Sequence, residues 1–370
     1  MRVKLKDITK FSKGTQINGK NLIDDGAYSY LNGGINPSGK WNEFNVAENT
    51  VTISEGGNSS GYVNYMNDAF WCGAHCYYLY DGPKNSKYLY YALKSQQERL
   101  FRIRSGACMP NIKKSDLGNF IIEYEKDEVR QEEVVKVLEK CELLIGDYNK
   151  KLTLLDEAVR ARFVEMFGDP VINYCQFPVQ TITDICDIID GDRGKNYPKS
   201  EEILDDGYCL FLNAKNVTQK GFDFENCNFI TREKDDALRN GKLSRGDVVL
   251  TTRGTVGNLA YYSKNVPYEN IRINSGMVIL RMNRSILNEI YFIELFKMKL
   301  SDIKEKIASG SAQPQLPIST MNKIILMIPP LELQNQFASF VQEIDKSRLR
   351  ELLAIKQIKL LLNDSWLLLY

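Results

Sequence analysis

The sequence predicts an α+β protein: two mixed α/β globules joined by two long helices paired as an antiparallel coiled coil, with a pseudo-twofold internal repeat. Three observations carry this. One phrase occurs twice, SGACMPNIKKSD from Ser105 and SGSAQPQLPIST from Ser309, 204 residues apart (309 minus 105). Each copy leads into a short apolar run and then into a long stretch of recurring apolar residues, at heptad spacing after the first copy and less regularly after the second. The segments before each copy mix strand-like and helix-like patterns.

Length and composition set the frame. A chain of 370 residues, 43% hydrophobic and 26% charged, is globular and long enough for two or three domains. No apolar run is long enough to span a membrane, and the start, MRVKLKDITKF, lacks the apolar centre of a signal peptide. Eight scattered cysteines suit reduced thiols and a cytoplasmic protein. Net charge is +1, but residues 1–120 carry 15 basic and 10 acidic side chains while residues 121–170 carry 8 and 13. A basic globule followed by an acidic segment suits nucleic acid at one and protein at the other.

In chain order, the first globule covers 1–125. NTVTIS reads as a strand and KYLYYALKSQQERLFRI as a short amphipathic helix. The first spacer helix covers 126–169. A helix over Asp127–Phe167 would be about 60 Å long, and it stops at FGDP, a Gly followed by a Pro. Its predicted seam is Val134, Leu138, Cys141, Ile145, Tyr148, Leu152, Leu155 and Val159. The second globule covers 170–328, with GDVVLTTRG as a strand and EIYFIELFKMKLSDIKEKIA as a helix. The second spacer helix covers 329–370, starting at Pro329-Pro330, with Phe337, Val341, Ile344, Leu349, Leu352, Ile355 and Leu362 on its seam. Here KLTLLDEA (151–158) matches KLLLNDSW (359–366) at an offset of 208 (359 minus 151), which reads as a four-residue stutter.

The globules repeat as well. VKLKDITKFSKG (3–14) resembles VQTITDICDIIDG (179–191), ISEGGNSSGYVNY (53–65) falls on LTTRGTVGNLAYY (250–262), and YLYYAL (88–93) on YFIELF (291–296). The loops diverge most, as NGGINPSGKWNEF (32–44) against NAKNVTQKGFDFE (213–225). One scaffold with two loop sets suits two related ligands. The repeated phrase is expected to form the turn closing each globule onto its helix.

Catalytic chemistry is missing. The single histidine, His75, would have to carry any triad alone. CGAHC (72–76) offers three close metal ligands and no second cluster, so no metal is expected. No phosphate-binding loop of the ATPase type occurs, and IPPL (328–331) lacks the acceptor of an adenine-methyltransferase motif. Candidate DNA-binding side chains lie in polar loops: Lys13, Gln16 and Asn18; Asn58, Ser59 and Ser60; Arg193, Lys195, Asn196 and Tyr197; Arg253, Thr255 and Asn258. These residue types pair with base edges or hold phosphates. Two other readings are a scaffold whose globules bind protein and a stand-alone nuclease.

Ser309, Gly310, Gln313 and Pro314, the IPPLELQNQF run (328–337), the echo at Ser105, Gly106, Pro110 and Asn111, and RFVEMFGDP (162–170) resemble the DNA-specificity (S) subunit of type I restriction–modification enzymes. The likeness covers essentially the whole chain. It implies two target-recognition domains, each reading half of a split, asymmetric double-stranded DNA site, and two helices that space them and dock two modification (M) subunits. It implies no cofactor in this chain: S-adenosylmethionine belongs to the M subunits, and ATP and Mg to the restriction (R) subunits. The first copy departs from the second in having Glu125-Lys126 where the second has Pro329-Pro330.

Overall fold

The computed structural model describes residues 1–106, 109–308 and 315–368. The first half of the second copy of the repeated phrase, 309–314, lies outside them, as do Ala107 and Cys108 of the first. The chain forms two compact units, Met1–Lys150 with Glu351–Tyr370, and Lys151–Arg350.

The first unit begins β1 (Arg2–Lys4), α1 (Leu5–Ile8), β2 (Lys10–Lys13), β3 (Tyr28–Leu31), β4 (Gly39–Trp41), β5 (Thr50–Ser54) and β6 (Val63–Met66). It continues with β7 (Phe70–Cys72), β8 (Cys76–Tyr80), α2 (Ser86–Lys94), α3 (Gln97–Arg102), α4 (Lys114–Gly118) and β9 (Ile121–Glu123), then enters α5 (Glu128–Phe167). Its main sheet has the order β2-β8-β5-β6, a second sheet has β4-β3-β7, and β1 pairs with β9. β5 is β-branched at four of its five residues, and Val51 to Ser54 are all buried, as an inner strand requires. The expected single amphipathic helix is two, because Gln97 turns inward. Its side chain accepts from the Val63 amide at 3.0 Å and donates to the Gly61 carbonyl at 2.7 Å, taking the place of a neighbouring strand at the end of β6.

The second unit runs β10 (Val179–Thr181), α6 (Ile182–Ile185), β11 (Cys186–Asp190), β12 (Cys209–Leu212), β13 (Val217–Thr218), β14 (Gly221–Phe222), β15 (Phe229–Ile230) and α7 (Arg232–Ala237). It continues β16 (Val248–Thr251), β17 (Leu259–Tyr261), β18 (Ile271–Ile273), β19 (Met277–Met282), α8 (Glu289–Ala308), α9 (Ile318–Met321) and β20 (Ile325–Met327), then α10 (Leu331–Leu368). Its sheets are β11-β19-β16-β17, β15-β12-β18 and β10-β20. Set aside the hairpin β13–β14 and α7, and these repeat the first unit strand for strand. Even the parallel pair recurs, β3 with β7 and β12 with β18. The expected repeat is therefore a repeat of topology, and the insertions fall where the sequences diverge.

In the second unit the far half of α5 and the near half of α10 run antiparallel. Arg348 bonds Asp156 at 2.6 Å, while Phe337 meets Phe163 and Phe167 with ring centroids 5.4 and 5.6 Å apart. Tyr291 of α8 stacks on Phe163, and all four rings are fully buried. Such burial is worth roughly 2–3 kcal/mol per ring before cavity costs.

Burial along α5 follows a heptad: Leu138 and Val159 are buried, and Val134, Cys141, Ile145, Tyr148, Leu152 and Leu155 are half-buried. On α10 the pattern departs from the predicted seam. Phe337, Val341 and Ile355 are buried and Ile344 and Leu362 half-buried, but Leu349 and Leu352 are 58% and 48% exposed. The heptad instead passes through Arg348, Glu351 and Ile358, all half-buried. Apolar residues one position off the seam make the sequence pattern misleading here. Each α5 seam residue from Leu138 to Val159 has its α10 counterpart 203 residues on (331 minus 128), so the burial register carries no four-residue addition. Among the described residues, no helix is long and apolar enough to cross a membrane.

Candidate nucleic-acid interface

In the first unit four loops meet. The β2–β3 loop is held by Thr15 N to Cys72 O at 2.8 Å, and the β5–β6 turn by Glu55 N to His75 O at 2.8 Å and Ser59 Oγ to Gly33 O at 2.5 Å. His75 N in the β7–β8 turn donates to Asn32 Oδ1 at 3.3 Å. Charge on this rim is largely paired: Glu55 takes Lys13 Nζ at 2.7 Å and faces His75 Nδ1 at 3.3 Å.

The second unit builds the same rim from other residues. Arg193 Nη2 donates to Ser275 O at 3.2 Å and to Asp190 Oδ1 at 3.1 Å. Thr252 N donates to Gly276 O at 2.9 Å, and Asn258 Nδ2 to Val217 O at 2.9 Å. Asp192, 6% exposed, accepts from Gly194 N at 2.7 Å and Arg239 N at 2.8 Å. These two amides hold its carboxyl below the usual carboxylate range.

The repeated phrase fastens these rims rather than closing a unit onto its helix. Ser105 and Asn111 exchange backbone hydrogen bonds at 2.9 Å, with Gly106 at φ 97°, and Ile112 N then donates to Glu55 O at 2.9 Å. In the second unit Leu316 N donates to Thr252 O at 3.0 Å, and Gln315 bridges Arg253. The phrase occurs twice because there are two such turns to hold. Gln313 lies outside the described residues.

The predicted contact residues divide. Lys13, Gln16, Asn18, Asn58, Arg193, Lys195, Arg253 and Thr255 are exposed, Gln16 turning back to Ile17 O and Asn18 capping the turn at Gly19–Asn21. Ser60 is different: it is fully buried, and its hydroxyl donates to Glu55 O at 2.8 Å, so it shapes the turn and has no surface to offer DNA. Asn258, Asn196 and Tyr197 are half-buried and engaged, Asn196 with Ala237 O and Tyr197 edge-on to Phe211. Small polar residues in a glycine-rich turn satisfy backbone groups before they meet a ligand. Sequence reasoning missed Arg104, which bonds Asn58 O at 3.3 Å, and Arg239, in a segment with no counterpart in the first unit. Their signal was only charge.

Among the described residues, nothing on either rim has the geometry of a nucleophile paired with a base, and no cluster of three or more His, Cys, Asp or Glu could hold a metal ion. Burial pushes the Cys186 thiol up to about 12, and the neighbouring Cys76 thiol, then burial, raises that of Cys72.

The model of the type I restriction modification DNA specificity domain matches residues 1–154 and 176–360, once over each half of the repeat. The chain belongs to the type I DNA specificity family. A putative type I specificity subunit of Mycoplasma genitalium is 28% identical over 353 residues, spanning 90% of this chain and 84% of that one. Another, of Mycoplasma pneumoniae, is 26% identical over 356 residues, 93% and 88% of the two chains. The crystal structure of a type I restriction–modification S subunit from M. genitalium shares the fold, with a TM-score of 0.59 over 99% of this chain and 94% of that chain at 22% identity. This specificity-family chain thus carries a match to the target-recognition domain in each half.

Proposed function

We propose that this chain reads a bipartite, asymmetric double-stranded DNA site, one half with each rim, and that its long helices dock two M subunits and, through the assembly, R subunits. The single observation behind this reading is that one topology, repeated strand for strand, presents two different rims: one built around Lys13, Glu55 and His75, the other carrying β13–β14, α7 and Arg193, Lys195 and Arg239. Two different readers joined in one chain suit two different half-sites. The chain contributes recognition and assembly in the cytoplasm. Methyl transfer with S-adenosylmethionine and ATP- and Mg-dependent steps belong to the M and R partners.

The experiment maps methylated adenines in a host with and without this chain, M subunits being supplied. A split, asymmetric motif that appears only with the chain supports the reading. Methylation independent of the chain, or no salt-sensitive binding to any duplex by the assembled complex, refutes it and favours a protein-binding scaffold.

A further inference from the structure

The loop GDRGKNYP (191–198) of the second unit is fastened at every turn. Buried Asp192 gathers the amides of Gly194, two residues on, and Arg239, from beyond α7. Asn196 Nδ2 donates to Ala237 O at 2.9 Å, and Arg193 reaches Ser275 O at 3.2 Å. α7 is itself fixed from beneath: Asp235, fully buried at 0% exposure, is bonded by Arg272 of β18 and by Lys242. The cations on this platform point outward. The Arg239 side chain is 77% exposed and the Arg193 side chain 46%, and Lys195 is exposed. The Arg239 guanidinium crosses Gly194, where a Cβ would stand only 2.8 Å from Nη2. The nearby carboxylates are engaged on the platform: Asp192 on two amides, with Arg239 Nε 3.9 Å away, Asp190 on Arg193, Glu202 on Lys234. The first unit's matching loop has one cation, Lys13, paired with Glu55, and carries no buried carboxylate to mount it.

We propose that Arg193, Lys195 and Arg239 form a clamp for the DNA backbone phosphates, particular to the second unit, and that Asp192 is its positioning residue. This rests on the DNA-reading function proposed above. Rigidly mounted, outward cations are what phosphate contacts need, and they set register without reading sequence. The second unit then carries a phosphate contact set for which the first unit's matching loop has no counterpart.

The test measures duplex affinity of the full chain assembled with M subunits, across a salt series. The triple variant Arg193→Ala/Lys195→Ala/Arg239→Ala should flatten the log K against log salt slope by about 0.9 for each phosphate no longer neutralised, roughly 2–3 in all. Asp192→Asn discriminates further. Removing a negative charge should tighten DNA binding if Asp192 acts only through its charge. A positioning role predicts the opposite, weaker binding with a flatter slope. Gly194→Ala, which changes no charge but sets a Cβ 2.8 Å from Arg239 Nη2 and 3.2 Å from Asp192 Oδ1, disturbs the same mounting and should flatten the slope in the same direction. Asp205→Asn, an exposed carboxylate on the same unit, is the control and should not weaken binding. An unchanged slope in the triple variant, or tighter binding by Asp192→Asn, overturns the clamp while leaving the DNA-reading function standing. Absence of salt-sensitive binding by the unaltered complex is instead the failure of that function. Should Asp192→Asn lose amide protection throughout the second unit, the triple variant and Gly194→Ala decide.

Discussion

Gln131 and Gln334 occupy the same place in the two halves of the repeat. Each is the fourth residue of its long helix and buried, at 3% and 0% exposure. Gln131 Nε2 donates to Glu125 O at 2.7 Å and to the Tyr124 hydroxyl at 3.1 Å, while Gln334 Nε2 donates to Pro329 O at 2.8 Å and Ile286 O at 3.0 Å. Gln334 Oε1 also accepts from Asn288 N at 2.9 Å. Each glutamine thus satisfies one carbonyl of its strand-to-helix junction, Glu125 O or Pro329 O, that its own helix cannot reach.

Gln334→Leu should therefore destabilise the second unit by about 1–3 kcal/mol for each buried group left unpaired. Gln131→Leu should cost the first unit less, because fewer backbone groups depend on it. Denaturant unfolding followed by amide exchange at the starts of α5 and α10 checks the order. Equal effects, or none, would show that water replaces the glutamines.

Two substitutions on α10 separate the observed seam from the apolar pattern. Ile355→Glu places a carboxylate at a position 8% exposed and should cost several kcal/mol. Leu352→Glu, at 48% exposure, should stay within about 0.5 kcal/mol. Thermal unfolding of the two variants checks this, and a reversed order would return the seam to Leu349 and Leu352.

Ser60→Ala should lower the stability of the first unit by about 1 kcal/mol by removing one of the two hydrogen bonds to the Glu55 carbonyl, Ile112 N keeping the other. It should leave the salt dependence of DNA binding unchanged. A flatter salt slope with normal stability would restore Ser60 as a phosphate contact.

Acid should loosen the second unit first. Burial opposes ionisation of Asp235, but hydrogen bonds from Lys242 and Arg272 outweigh it, so its carboxyl lies below its ordinary value, as does that of Asp192. Both groups then bind protons more tightly in the unfolded chain. The stability they contribute is present above the ordinary carboxylate value of about 4 and is lost as pH falls from there through the folded values. Protection of the α7 and β18 amides, taken relative to their intrinsic exchange rates, should fall as pH drops below about 4, while β5 of the first unit, a unit with no buried carboxylate among its described residues, stays protected. Trp41 and Trp71, both in the first unit, supply a fluorescence readout for that half.

The architecture was legible because it rests on periodicity. The heptad from Val134 to Val159 and the β-branched run Thr50–Ser54 carry their structure in residue spacing. The repeated phrase was visible too, but its target was not. That Ile112 binds Glu55 and Leu316 binds Thr252 is a long-range pairing with no local trace. The α10 register failed where polar Arg348 and Glu351 take seam positions and apolar Leu349 and Leu352 do not. The rims were legible only as polarity. Whether Ser60 turns in or Arg239 turns out depends on which backbone groups need a partner, which residue type alone does not record.

The first unit is built from two pieces of sequence, Met1–Lys150 and Glu351–Tyr370, while the second is continuous. Order of synthesis therefore matters. At about 5–20 residues per second, the stretch between those pieces keeps the first unit waiting roughly 10–40 seconds for its closing helical segment. During that interval the near half of α5 is exposed in the cell with its apolar stripe from Val134 to Tyr148 uncovered. The second unit, complete within itself, can fold before the first is finished. A nascent chain stalled near Arg350 would be the species most in need of a chaperone, or of a neighbouring chain's helix.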